Sequence, residues 1–196
     1  MSAAFLELWL EEVVAEPSAT AIKDLVDARR FLLDDAMRAV SVVQSAPGRV
    51  IDVGSGGGTP GIPLAAALPA REFTLLEAER RKCDFLERVS AELPNVHVIC
   101  GRAEEQETDV YGVALAKALA KPPVAAELCL PLVRPGGIAI LWTGKSAEVD
   151  RVARVAEHLA ATLEDNRDGL IVLRKMSHTP PGFPRRPGIA KKRPLA

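Results

Sequence analysis

Aromatic residues are scarce, with five Phe, two Trp and one Tyr making up 4% of 196 residues. Tyr111 and Trp142 stand as single aromatics within apolar runs, which suits core packing better than base stacking. The three cysteines, Cys83, Cys100 and Cys129, are odd in number and widely spaced, and they form no C-x-x-C pair. Neither a metal site nor a disulfide is expected from them, and a reducing cytoplasm fits. No stretch approaches 18 uninterrupted apolar residues, so no membrane span is expected. The start of the chain carries Glu7, Glu11 and Glu12 instead of a basic n-region, which argues against a signal peptide. Histidine numbers only three: His97 and His158 sit in strand-like and helix-like patterns, and His178 begins the tail. No loop pairs a histidine with a carboxylate as a general base would require, so no catalytic residue is assigned.

What is present is a globular composition, 48% hydrophobic and 26% charged, with length enough for one domain and an extension. Charge is unevenly spread. From Ile171 onward there are seven Lys/Arg and no Asp or Glu, which leaves eighteen basic against twenty-six acidic residues in the first 170. An acidic body with a basic tail points to a polyanionic partner met through the C-terminus.

The most informative stretch is Arg49–Gly61. Val50-Ile51-Asp52-Val53 reads as a buried strand and runs into Gly54, Gly56, Gly57 and Gly58, then an apolar helix from Ile62. Glycines at the end of such a strand permit turns closed to other residues and leave no Cβ between backbone and ligand. The helix that follows is expected to aim free N–H groups at the same spot. Downstream, strands at Glu72–Leu76, Val96–Cys100, Val113–Ala116, Ile138–Trp142 and Leu170–Leu173 alternate with helices at Glu79–Ala91, Pro122–Val133 and Ser146–Ala160. This alternation predicts an α/β fold with a parallel sheet. Residues 1–45 read as two amphipathic helices separated at Pro17. Residues 46–176 form the sheet domain, and residues 177–196, with five prolines, read as an unpacked basic arm.

Two cofactor classes compete for the glycine loop. Gly56-x-Gly58-x-x-Gly61 satisfies the dinucleotide pattern of an NAD-dependent oxidoreductase. Glu77, ending the second strand, serves either class as an acceptor for ribose hydroxyls. Asp52 two residues before the first glycine, Arg102-Ala103-Glu104 after the third strand and Pro135-Gly136-Gly137 before the fifth favour S-adenosylmethionine.

Together Asp52–Leu64, Phe73–Glu77, Arg80–Leu86, Gly101–Glu105, Glu127–Val133 and the tail segments Phe183–Gly188 and Lys191–Leu195 resemble the glucose-inhibited division protein B family. The resemblance spans roughly residues 50–140 and 171–196. It implies a Rossmann-like class I methyltransferase acting on guanine N7 of 16S ribosomal RNA, as naked RNA or in the small ribosomal subunit. By it, Gly54 and Thr59 line the methionine and ribose part of the cofactor site, and Ala103 and Glu104 meet the adenine. Asp52, Gly56 and Glu77 shape the same site. Lys117 stands where the family usually has arginine, and holds the cofactor carboxylate or a phosphate. In the tail, Arg185, Arg186, Lys191, Lys192 and Arg193 are expected on RNA phosphates, with removal of the tail sparing cofactor affinity.

Overall fold

The computed structural model describes residues 3–144 and 148–196. Its centre is a seven-stranded sheet of β1 (Val50–Val53), β2 (Phe73–Glu77), β3 (Val96–Cys100), β4 (Tyr111–Lys117), β5 (Val133–Trp142), β6 (Ala161–Arg167) and β7 (Leu170–Lys175). The order across the sheet is β3-β2-β1-β4-β5-β7-β6. Every residue of β1 and β2 is buried, as expected of central strands covered on both faces. The chain leaves β1 to one side for β2 and β3, then returns to the other side for β4. The crevice where this order reverses lies beyond the ends of β1 and β4, which is where ligands bind in open α/β sheets.

Helices cover both faces. On one lie α1 (Ala3–Ala15), the short helices α2 (Leu25–Ala28), α3 (Asp35–Met37) and α4 (Val40–Ser45), α5 (Gly61–Ala67) and α6 (Arg80–Val89). Trp9, Leu33, Val43, Leu64 and Leu86 pack there against Val50, Leu75, Val113 and Ile140. On the other lie α7 (Pro122–Cys129) and α8 (Val149–His158), where Leu130, Val152 and Val155 meet Ile51, Leu76, Ala114 and Leu141. The expected start of this last helix at Ser146 falls outside the described residues.

The structure departs from the expectations in several places. The sheet is mixed: β7 runs antiparallel to both β5 and β6. β6 and β7 are joined by Asp168-Gly169, both with positive φ (52° and 74°), which makes a two-residue hairpin with no room for a crossover helix. β6 escapes sequence reading because it is an edge strand whose residues are mostly exposed and polar. Arg134–Gly137 lies inside β5 instead of before it. Val133 pairs with Tyr111 and Ile138 with Val113, so the intervening residues form a bulge. The helix at Pro122 ends at Cys129 and gives way to a 3₁₀ turn over Leu130–Leu132.

Cys83 and Cys100 form a disulfide, against the expectation of none. Seventeen residues separate them in the chain, and only the packing of α6 beside β3 brings their Cα atoms to 5.7 Å. Cys129 is free and buried, and burial pushes its thiol well above the ordinary range.

The tail is packed, not free. It ends in α9 (Ile189–Lys192), with Ala190 buried and Phe183, Leu195 and Ala196 against the α7–α8 face. Polar anchors hold its start. Lys175 Nζ, fully buried, donates to the Leu130 carbonyl (2.9 Å) and to Thr179 Oγ1 (2.7 Å). Asp109 accepts from the Thr179 N–H and hydroxyl. Proline spacing suggested an arm in water, but prolines, which have no backbone N–H to satisfy, also suit a segment laid across a surface.

Candidate cofactor site

At the switch point opens a cavity of about 490 Å³, within the range of small-molecule sites. Its floor is the glycine loop. Gly54 N–H and Ser55 N–H donate to the Leu76 carbonyl (2.8 and 3.1 Å), so the loop is pinned to the end of β2. Gly54 has φ +72°, and a Cβ there would come within 2.5 Å of Leu119 Cδ1, in a part of the cavity wall. The positive φ favours glycine, and a side chain there would also have to push Leu119 aside.

Asp52 is placed beneath this floor and not in the cavity wall. Its Oδ2 accepts the Gly61 N–H at 3.0 Å, tying β1 to the start of α5. A side chain at Gly61 would collide with Leu75 and sit 2.7 Å from that same oxygen. The first N–H groups of α5 are thus spent inside the protein, Gly61 on Asp52 and Ile62 on the Gly58 carbonyl (2.7 Å). They do not reach into the cavity as expected. Burial raises the Asp52 carboxyl to about pH 7, and the nearby Glu77 charge adds to the shift, against the hydrogen bond from Gly61.

Glu77 lies in the wall. Its Oε2 accepts from Gly56 N–H (3.0 Å), and Oε1 from Ala78 and Glu79 N–H (2.8 and 2.9 Å). Each carboxylate oxygen has two acceptor sites, so one site on Oε2 remains for a ribose hydroxyl. Gly56, Thr59, Ala103, Glu104 and Lys117 also line the cavity. Ala103 and Glu104 ride on a 3₁₀ turn just past β3, where Gly101 N–H donates to the Glu77 carbonyl (2.8 Å). Ala118, directly after Lys117, has φ +54°, a left-handed conformation costly for alanine and held here by the surrounding walls.

Two segments that sequence reading did not connect to the site complete it. The N-terminal segment supplies Ala19, Thr20 and Leu32 to the wall. It is fastened by Trp9 Nε1 to the Gly57 carbonyl (3.0 Å) and by Thr59 Oγ1 to the Leu32 carbonyl (2.7 Å). Lys117 Nζ donates to the Phe31 carbonyl (2.8 Å) and is paired with Asp35. The lysine therefore bonds the N-terminal wall across the cavity mouth. Its signal in the sequence was a charge at a strand end; the partner 82 residues away had none.

The tail closes the opposite end. Gly188, Ala190 and Lys191 line the cavity, and Gly188 N–H donates to Glu104 Oε1 (3.0 Å). Arg185, expected on RNA, is engaged elsewhere. Its Nε and Nη2 make a two-pronged bond to Glu127, each at 2.6 Å, and Glu127 is only 4% exposed. The Arg185 fork is matched to a carboxylate and buries with it, while Arg186, Lys191, Lys192 and Arg193 are exposed. The tail is thus part of the cavity wall and not an arm apart from it. Among the described residues no cluster of His, Cys, Asp and Glu is arranged to hold a metal, and no helix is long and apolar enough to cross a membrane.

The family model described as rRNA small subunit methyltransferase G matches residues 16–167. A protein of Synechococcus sp. (strain JA-2-3B'a(2-13)) named ribosomal RNA small subunit methyltransferase G is 37% identical, with 90% of this chain and 77% of that protein covered. Its namesake in Rubrobacter xylanophilus is 36% identical over 92% of this chain and 75% of its own length. Among solved structures, a methyltransferase of Methanococcus maripaludis described as S-adenosylmethionine-dependent superposes with a TM-score of 0.60 at 12% identity, covering 79% of this chain and 91% of that one. The T. thermophilus 16S rRNA N2 methyltransferase RsmC in complex with AdoMet and guanosine gives 0.55 at 17% identity, covering 76% and 40%. At such identities the structures speak for the fold, a Rossmann-like class I methyltransferase sheet. The oxidoreductase reading of the glycine loop is set aside by the family match. This chain belongs to the rRNA small subunit methyltransferase G (GidB) family.

Proposed function

We propose that this chain transfers a methyl group from S-adenosylmethionine to guanine N7 in 16S ribosomal RNA, in the cytoplasm where small subunits are found. The observation that carries the reading is a glycine-floored cavity with a carboxylate on one wall and a lysine on another, roofed at one end by a basic tail, in a chain of this family. The fit to the cofactor rests on the cradle itself. A Cβ at Gly54 would run into Leu119 in the cavity wall, and Glu77 keeps one acceptor site, on Oε2, for a ribose hydroxyl.

Gly54 and Thr59 flank the methionine and ribose part, with Glu77 on the ribose and Gly56 closing the floor. Ala103 and Glu104 meet the adenine. Lys117 offers one positive charge near the methionine carboxylate while it holds the N-terminal wall. When bound, S-adenosylmethionine supplies an electrophilic methyl on a positively charged sulfur. Guanine N7 presents a free lone pair at neutral pH, so the reaction asks no side chain to remove a proton. The work left to the protein is alignment at near-attack distance and exclusion of water, which the N-terminal wall and the tail serve from two sides. Arg186, Lys191, Lys192 and Arg193 stand exposed beside the cavity and suit phosphates of the substrate.

The deciding experiment supplies labelled S-adenosylmethionine and small subunits lacking the modification, then maps N7-methylguanine by chemical cleavage. One stoichiometric site is expected. Absence of transfer to subunits and to naked 16S RNA, by protein that binds S-adenosylhomocysteine, would remove the substrate assignment.

A further inference from the structure

Phe31 is the one exposed aromatic residue among the described residues, 46% accessible in a chain that otherwise keeps its rings inside or half-covered. Its neighbours Leu32 and Leu33 are buried, so the segment has a core face and Phe31 is not on it. The backbone here is unusual. Between α2 and α3 the chain widens into a π-helical turn over Arg29–Asp34, where the Asp35 N–H reaches the Arg30 carbonyl five residues back. Such turns recur at functional sites, because widening frees carbonyls and re-aims side chains.

Two carbonyls within this turn are used at the cavity. The Phe31 carbonyl takes Lys117 Nζ (2.8 Å) and the Leu32 carbonyl takes Thr59 Oγ1 (2.7 Å). Leu32, Thr59 and Lys117 are all cavity wall. The turn is thereby latched to the end of the cavity assigned above to methionine, and hence to the methyl group. Glu77, Ala103 and Glu104 occupy the other end. The Phe31 ring is thus left in solvent at a site held by two bonds to the reacting end. The Arg30 guanidinium lies over one face of the ring, 5.2 Å from its centroid. An exposed ring capped by a cation on one face has its other face for a flat base and the cation for a phosphate.

Resting on the function proposed above, we infer that Phe31 is the platform on which the target guanine stacks, with Arg30 meeting its phosphate. A base must leave its own stack before its N7 can enter the site, and stacking on an aromatic side chain is how proteins hold an unstacked base. The latch through Lys117 and Thr59 keeps the platform in register with the cofactor.

The test compares methyl transfer to unmodified small subunits by the wild-type protein and by Phe31→Ala, Phe31→Leu and Phe31→Tyr, with S-adenosylhomocysteine affinity measured for each by calorimetry. Phe31→Ala is expected to lower kcat/KM for RNA by about tenfold or more, from the loss of one base–aromatic stack. Cofactor affinity should stay within about twofold of wild type. Phe31→Tyr should restore transfer and Phe31→Leu should not, because only the former keeps the ring. Transfer by Phe31→Ala equal to wild type, or rescue by Phe31→Leu, would overturn the platform alone. So would loss of cofactor affinity in Phe31→Ala, which marks a structural role. No transfer by the wild type would remove the functional reading and the platform together.

Discussion

Asp52 illustrates how a residue next to a site supports it without entering it. Its carboxyl is buried, with Oδ2 bonded to Gly61 N–H and Oδ1 without a partner among the described residues. Burial raises the folded pKa to about 7, above the ordinary carboxylate value. The folded state therefore holds a proton that the unfolded chain has released, so this group weakens folding as pH rises between about 4 and 7 and adds nothing further above that. Relative to Asp52→Asn, which keeps an acceptor for Gly61, wild-type stability should fall with a slope of up to about 1.4 kcal/mol per pH unit in that window. Urea melts of both proteins at successive pH values give the comparison. Parallel curves from pH 4 to 8 would mean that Asp52 titrates normally.

Among the elements, the tail changes most between expectation and structure. Arg185 and Glu127 form a buried two-pronged pair that holds the tail on α7, and Gly188 then bonds Glu104 at the cavity. Arg185→Ala leaves Glu127 buried without its cation, a state costing about 3–5 kcal/mol if the tail stayed in place. Detachment of the tail lets water reach Glu127 and costs less, because the sheet does not depend on it. Arg185→Ala is thus expected to leave the main thermal transition nearly unchanged. Limited proteolysis should become faster after residue 176, and S-adenosylhomocysteine affinity should fall by about tenfold. Unchanged cofactor affinity with a protease-sensitive tail would show that the tail is a cover the cofactor does not need.

Across the whole molecule the charges are segregated, with a net −8 over the first 170 residues and seven uncompensated cations beyond them in sequence. Folding alters how many are available. Arg174 and Lys175 lie in β7, Arg174 paired with Glu164, and Arg185 is spent on Glu127. Four remain, all exposed: Arg186, Lys191, Lys192 and Arg193. If each neutralises one phosphate, log affinity for RNA should fall against log salt with a slope of about 3. Lys192→Ala should lower that slope by about one contact, whereas Arg185→Lys, which keeps a charge toward Glu127, should leave it in place. A slope unaffected by removing all four charges would take the tail out of RNA binding.

Thr59, Ala103 and Glu104, which line the cavity, came through the family resemblance. The α/β class, the strand leading into Gly54, the glycine loop and Glu77 at the end of the second strand were legible in the sequence. Local rules govern them: a buried strand must be apolar, a left-handed turn against a wall favours glycine, and a strand end carries a short polar turn. What lay beyond the sequence depends on contacts between residues far apart in the chain. The pairing of Lys117 with Asp35 spans 82 positions and that of Arg185 with Glu127 spans 58. Neither leaves a periodicity or spacing to find, since a charged residue reads the same whether its partner is water, RNA or a buried carboxylate. The same holds for Cys83 with Cys100, for the edge strand β6, and for the tail as a wall of the cavity. The sequence by itself determined the parallel core of the sheet and the floor of the site; its walls were decided by tertiary structure, because only packing assigns each charge its partner.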